Sequence, residues 1–162
     1  MFIRNKYIQY NRLFSQASST FLNFARSQST LIVAEQQGEA LSRNSLHAIT
    51  AAKQLGGDIS CLVAGTKTQK AVEEIAGLAG ISKVIVCENA AFEGGLAENI
   101  APVVLAAQDQ FKFSHIISGA SAFSRSLLPR VAAKLDVSPI SDVIGIKVLD
   151  TFYIFKYTDF CL

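Results

Sequence analysis

Tryptophan is absent from this 162-residue chain, methionine occurs once and proline three times. So little proline leaves long stretches free to run as unbroken helix or strand. Three cysteines, with no CxxC pair and no histidine at ligand spacing from any of them, exclude a disulfide framework and give no zinc site. Cys61 and Cys87 lie in short apolar runs and Cys161 is next to last, so all three read as free thiols of a reducing compartment. No apolar run approaches the roughly 20 residues that span a bilayer, because Lys, Asp, Gln or Gly interrupts each one. The expectation is a soluble chain with no membrane insertion.

Acid is missing from the whole front of the sequence. The first acidic residue is Glu35, whereas Arg4, Lys6, Arg12 and Arg26 all precede it. Removing residues 1–26 takes away those four positive charges and turns the formal net charge from +2 to −2. The excess of base therefore sits in one segment, which leaves no case for nucleic-acid binding by bulk charge. The same segment holds Ser15, Ser18, Ser19 and Ser27 with Phe14, Phe21 and Phe24 between them. A basic, serine-rich, acid-free and amphipathic stretch has the composition of a mitochondrial transit peptide. Residues 1–28 are expected to be that peptide, lying outside the folded domain, with a cut shortly after Arg26.

What is present from Thr30 onward is a regular alternation. Leu31–Ala34, Ile59–Ala64, Val84–Cys87 and His115–Ser118 are short continuous apolar runs of strand type. Between them lie helical stripes. Leu46, Ile49, Ala52 and Leu55 make the first, with Asn44 or Ser45 as its cap and Gly56-Gly57 as its stop. Val72, Ile75, Ala76 and Ala79 make the second, capped by Thr68. Ile100, Val104, Ala107 and Phe111 make the third, and Leu128, Val131, Ala132 and Leu135 the fourth, with Pro102 and Pro129 near the helix starts. Ile140–Ile146 and Val148–Phe152 read as two last strands joined near Gly145. Continuous apolar strands alternating with amphipathic helices predict an α/β fold: a doubly wound, mostly parallel sheet sandwich, Rossmann-like or adenine-nucleotide-hydrolase-like. Such sheets bind ligands at the carboxyl ends of their strands.

The loops at those ends are weak as nucleotide motifs. Glu35-Gln36-Gln37-Gly38-Glu39 has one glycine where a dinucleotide fingerprint needs three. Gly65-Thr66-Lys67-Thr68 resembles the tail of a phosphate loop, but its lysine does not follow a glycine, so Lys67 reads as a solvated residue entering a helix. The loop Gly119 to Ser126 leads small residues and hydroxyls into a helix N-terminus, which favours an anion, and Arg125 is placed to assist. The competing reading is that Ser124 or Ser126 only caps the helix while Arg125 faces water or a partner. His47 and His115 have no obvious nucleophile to activate, and Asp142, with Ser138 and Ser141, reads as a turn. No residue is assigned a catalytic, cofactor-binding or metal-binding role.

Several separated stretches resemble the alpha subunit of the electron-transfer flavoprotein family. They are Ser29–Glu35, Cys61–Thr66, Gly119–Leu135 (GASAFSRSLLPRVAAKL) and Ser138–Asp142, covering a domain from residue 29 to 152. The resemblance implies a heterodimer with a beta subunit in the mitochondrial matrix. That heterodimer would take electrons from acyl-CoA and related dehydrogenases and pass them to a membrane quinone oxidoreductase. It implies an electron carrier rather than an enzyme, with FAD held mainly by a second alpha domain. Tyr153 to Leu162 departs from the family pattern, so this chain is expected to stop short of that domain and to bind no FAD alone. Two other readings stay open: an interaction module that meets the beta subunit without carrying electrons, and a stand-alone nucleotide-binding sandwich.

Overall fold

A computed structural model describes residues 2–4, 28–148 and 151–154, with side chains described from 28 to 146. The strands are β1 (Phe2–Arg4), β2 (Ser29–Ala34), β3 (Gln36–Gln37), β4 (Ala40–Leu41), β5 (Asp58–Gly65), β6 (Lys83–Glu88), β7 (His115–Ser118), β8 (Pro139–Ile140), β9 (Val143–Val148) and β10 (Thr151–Ile154). The helices are α1 (Arg43–Leu55), α2 (Gln69–Ala76), α3 (Ala97–Phe111) and α4 (Ala122–Lys134), with a 3-10 segment at Ala90–Gly95.

The main sheet has the order β6-β5-β2-β7-β1-β8. β6, β5, β2 and β7 run parallel, in a register that sets Ile32 beside both Cys61 and Ile117. Alternation along β2 explains why both faces are covered. Leu31 and Val33 join a core with Ile100, Val104, Leu127 and Val131 of α3 and α4. Ile32 and Ala34 join the opposite core with Ile49, Leu55 and Ile75 of α1 and α2. Leu31, Ile32, Leu62, Leu127 and Leu128 are fully buried, and each such side chain contributes about 1.5–3 kcal/mol of transfer free energy. The doubly wound, mostly parallel sandwich is therefore the observed fold.

Several local expectations are corrected. The cap of α1 is Ser42, whose hydroxyl accepts from the Asn44 amide, while Ser45 is buried. The inner face of that helix is Ser45, Ala48, Ile49, Ala52 and Leu55, and Leu46 is 41% exposed. Helix α2 ends at Ala76, so Ala79 lies beyond it; Ala71 and Ile75 are its buried residues. Pro102 and Pro129 sit inside α3 and α4, because those helices begin at Ala97 and Ala122, earlier than their apolar stripes suggest. Both prolines are on exposed faces, where a carbonyl freed by the missing N–H meets water. Gly145 lies within β9, which pairs antiparallel with β10. β10 crosses the boundary expected at residue 152, since Tyr153 and Ile154 belong to it.

The segment expected to lie outside the domain contributes one strand. The backbone of Phe2–Arg4 pairs antiparallel with β7 and with β8, at Phe2↔Ile117 and Phe2↔Ile140. The other residues of that segment up to 27, and Cys161 in the tail, fall outside the described part. Among the described residues no helix is long and apolar enough to cross a membrane.

Candidate functional site

Parallel strands deliver Glu35, Thr66, Glu88 and Gly119 to one edge of the sheet, at or just beyond the carboxyl ends of β2, β5, β6 and β7. The chain order reverses between β2 and β7, so this edge is where a doubly wound sheet opens a crevice. Glu35 lies at the reversal and is held from two sides. Its backbone N–H donates to Ser45 Oγ at 2.8 Å, and Ser45 Oγ donates back to the Glu35 carbonyl at 3.2 Å. The burial of Ser45 on the inner face of α1 serves this loop.

The side chain of Glu35 reaches the start of α4. Its carboxylate accepts the hydroxyls of Ser121 and Ser124, the latter at 2.6 Å. Ser121 caps the helix by accepting the Ser124 amide at 3.0 Å. Ser118 and Ser124 stand 2.6 Å apart, oxygen to oxygen. Each hydroxyl has one proton, and Ser124 has given its own to Glu35, so Ser118 is the donor there, shared with the Val33 carbonyl at 3.1 Å. Partial positive charge at the helix N-terminus favours the carboxylate in this position. The loop from Gly119 to Ser126 thus does present an anion site, and the protein's own Glu35 fills it.

The N-terminus of α2 repeats the arrangement. Glu88, at the end of β6, accepts from the Thr68 amide at 3.0 Å and from the Thr68 hydroxyl at 2.5 Å. Those two hydrogen bonds, the hydroxyl first, hold the Glu88 carboxyl below its ordinary value. Thr68 makes no side-chain cap; its hydroxyl serves Glu88 instead. Lys67 is an exposed surface residue 3.5 Å from Glu39, and Lys70 is 2.6 Å from the same carboxylate. Lys70 is the larger cause of the lowered Glu39 pKa. The resemblance of this loop to a phosphate loop therefore has no counterpart in the geometry.

The remaining candidates are dispersed. His115 is buried in β7, with Nδ1 3.0 Å from Ser114 Oγ. Arg125 is exposed and lies 3.9 Å from the Asp142 carboxylate. Asp142 has φ +55°, the left-handed conformation of a turn. His47 and Asp142 share the lining of a cavity of about 330 Å³ with Ser118, whose hydroxyl is already engaged by Val33 and Ser124. Ser124 and Ser126 are not the cap of α4; Ser121 is, and Ser124 is buried beneath it. Cys61 is buried in β5, which pushes its thiol up to about 12, and Cys87 is half-buried. Among the described residues no group of three or more His, Cys, Asp or Glu gathers to hold a metal.

Between the loops after β2, β5 and β6 lies a cleft of about 380 Å³. Val33, Ala64, Phe92, Ile100 and Phe123 give it an apolar lining, and its charged residues are Glu35 and Glu93. A flavin dinucleotide needs donors or cations for its pyrophosphate and a pocket for its ring system. Here the N-termini of α2 and α4 are occupied by glutamates and no Lys or Arg lines the cleft. The lining of this cleft does not fit that cofactor.

Comparison with known proteins gives the family. The model of the electron transfer flavoprotein domain matches residues 30–158. The chain belongs to the electron transfer flavoprotein family. It is 46% identical over 130 residues to a Caenorhabditis elegans protein that carries the name of the mitochondrial alpha subunit, covering 80% of this chain and 39% of that one. An alpha subunit from Pseudomonas aeruginosa is 41% identical over 122 residues, covering 75% and 39%. The mitochondrial alpha subunit of Arabidopsis thaliana is 37% identical over 154 residues, covering 92% and 42%. The chain spans about two fifths of the length of these relatives.

Proposed function

We propose that this chain is the N-terminal domain of an electron-transfer flavoprotein alpha subunit, and that it acts within a heterodimer with a beta subunit. The heterodimer is an electron carrier rather than an enzyme. It takes electrons from acyl-CoA and related dehydrogenases and passes them to a membrane quinone oxidoreductase. The electrons travel on FAD bound outside the crevice described above, and the contribution of this domain is to hold subunits together. The observation that carries the reading is the Glu35 carboxylate on Ser121 and Ser124, inside a domain whose family is defined by its flavin. An anion site already filled by the protein's own carboxylate serves architecture in place of a nucleotide phosphate. This disfavours the stand-alone nucleotide-binding sandwich and favours a partner-binding role.

The setting is the mitochondrial matrix. The acid-free basic segment, residues 1–28, is its import signal, and mitochondrial names among the relatives agree with that. Co-expression with the beta subunit of the same organism tests the reading. A 1:1 complex by analytical ultracentrifugation is the expected result. Two separate monomeric species at micromolar concentration would contradict it.

A further inference from the structure

The segment read as an import signal is also part of the sheet. The order β6-β5-β2-β7-β1-β8 sets β1 inside the sheet, with a strand on each side. Its backbone runs antiparallel to β7 at Phe2↔Ile117, Ile3↔Ile116 and Arg4↔His115, and antiparallel to β8 at Phe2↔Ile140 and Ile3↔Pro139. Helix α4 lies against it. Among the described residues, β8 joins the main sheet through β1 alone. On its other side β7 is bonded to β2, and its Ile116 and Ile117 are buried in the two cores. Taking β1 out would leave one edge of a core strand without its ladder and would detach β8.

Import and sheet pairing make opposite demands on these three residues. A transit peptide is recognised as a free amphipathic segment, whereas β1 is bonded into the domain on both sides. Arg4, one of the four bases that precede the first acid, lies within it. The two states compete, and the stability of the pairing sets how much of the signal is presented. We propose that β1 is a latch: the folded domain holds the beginning of its own import signal in the sheet, so the unfolded chain presents that signal and the folded chain withholds it. The consequence for import rests on the reading of residues 1–28 as the signal; the pairing of β1 does not. A cut after Arg26 would take β1 away, so the latch belongs to the uncut chain.

Two arms test it. The first is amide hydrogen exchange of the isotope-labelled full chain. The amides of Phe2 and Ile3 are expected to exchange at least about tenfold more slowly than those of an unstructured peptide. Less protection than that overturns the latch. Ile3→Pro removes a donor and sets a ring between two strands. In that variant the alternate amides of β7 that point away from β2 should exchange at least about tenfold faster, while those bonded to β2 keep their rates. Unchanged rates throughout β7 would overturn the latch as well. If both sets accelerate together, the substitution has loosened the whole domain, and the wild-type protection decides. The second arm presents the full chain to isolated mitochondria, either folded or freshly diluted from urea. Folded wild type should be imported at least about fivefold more slowly than folded Ile3→Pro, with the two alike when presented unfolded. Equal rates from the folded state would overturn the withheld signal. If neither is imported even when unfolded, the import reading fails and the withheld signal with it, while the exchange rates still decide whether β1 is held.

Discussion

Glu35 and Ser124, 89 positions apart in sequence, meet at 2.6 Å where the end of the first parallel strand faces the start of the last helix. The contact joins the two halves of the sheet at the point where chain order reverses. It also answers a question that loop composition raises, because the anion expected at the start of α4 is internal.

Glu35→Ala leaves Ser121 and Ser124 without their acceptor and should destabilise the domain by about 1–3 kcal/mol. Glu35→Gln keeps an oxygen acceptor in nearly the same shape and should cost less. Urea midpoints at constant slope measure both. Equal losses for the two variants would mean that the hydrogen bonds to Ser121 and Ser124 are not what the carboxylate contributes.

The pair of Glu88 and Thr68 gives the domain an acid-sensitive contact. The folded-state pKa of Glu88 is depressed, so its contribution is present above the ordinary value of 4.5 and is lost as pH falls through the lower folded value. The stability gap between wild type and Glu88→Gln should therefore be largest near neutrality and shrink towards pH 3. A gap that stays constant or widens with acid would have the wrong sign.

Gly119 passes the N-terminal end of α1 with no room for a side chain. A Cβ there would lie 2.5 Å from the Asn44 carbonyl oxygen. Gly119→Ala should destabilise the domain by about 1–3 kcal/mol through backbone displacement, although alanine suits most backbone positions better than glycine. Thermal unfolding checks it, and a neutral substitution would show that the loop moves freely.

Pro129 stands in the interior of α4, on an exposed face. Pro129→Ala restores one helical hydrogen bond and should raise stability by about 1–3 kcal/mol, the lost restriction of the unfolded chain offsetting part of the gain. A less stable variant would show that the restriction proline places on the unfolded chain outweighs the restored hydrogen bond.

A mostly parallel sheet covered on both faces was within reach of the sequence because continuous apolar runs such as Ile59–Ala64 call for burial on both faces. Helix faces were legible where large residues mark them, as Ile49 and Leu55 do, and misread where a small polar residue is the buried one. Ser45 and Ser124 look like caps in sequence because serine is a preferred cap. Both are instead buried and hydrogen-bonded around Glu35. A long-range polar contact of that kind leaves no periodic trace. Its available clue was the lone acid at the end of an apolar strand, opposite a loop rich in hydroxyls. The pairing of Phe2–Arg4 with β7 was equally hidden, since three residues inside a basic segment carry no strand pattern.

The central claim is that this domain serves a flavoprotein without holding the flavin in its own strand-end crevice. The direct measurement is the flavin-to-protein ratio of the purified chain after incubation with excess FAD and removal of free ligand, read from visible absorbance and fluorescence. A ratio near zero is expected, because glutamates occupy the anion sites of α2 and α4. A ratio near one would contradict the claim and place a flavin site within this domain.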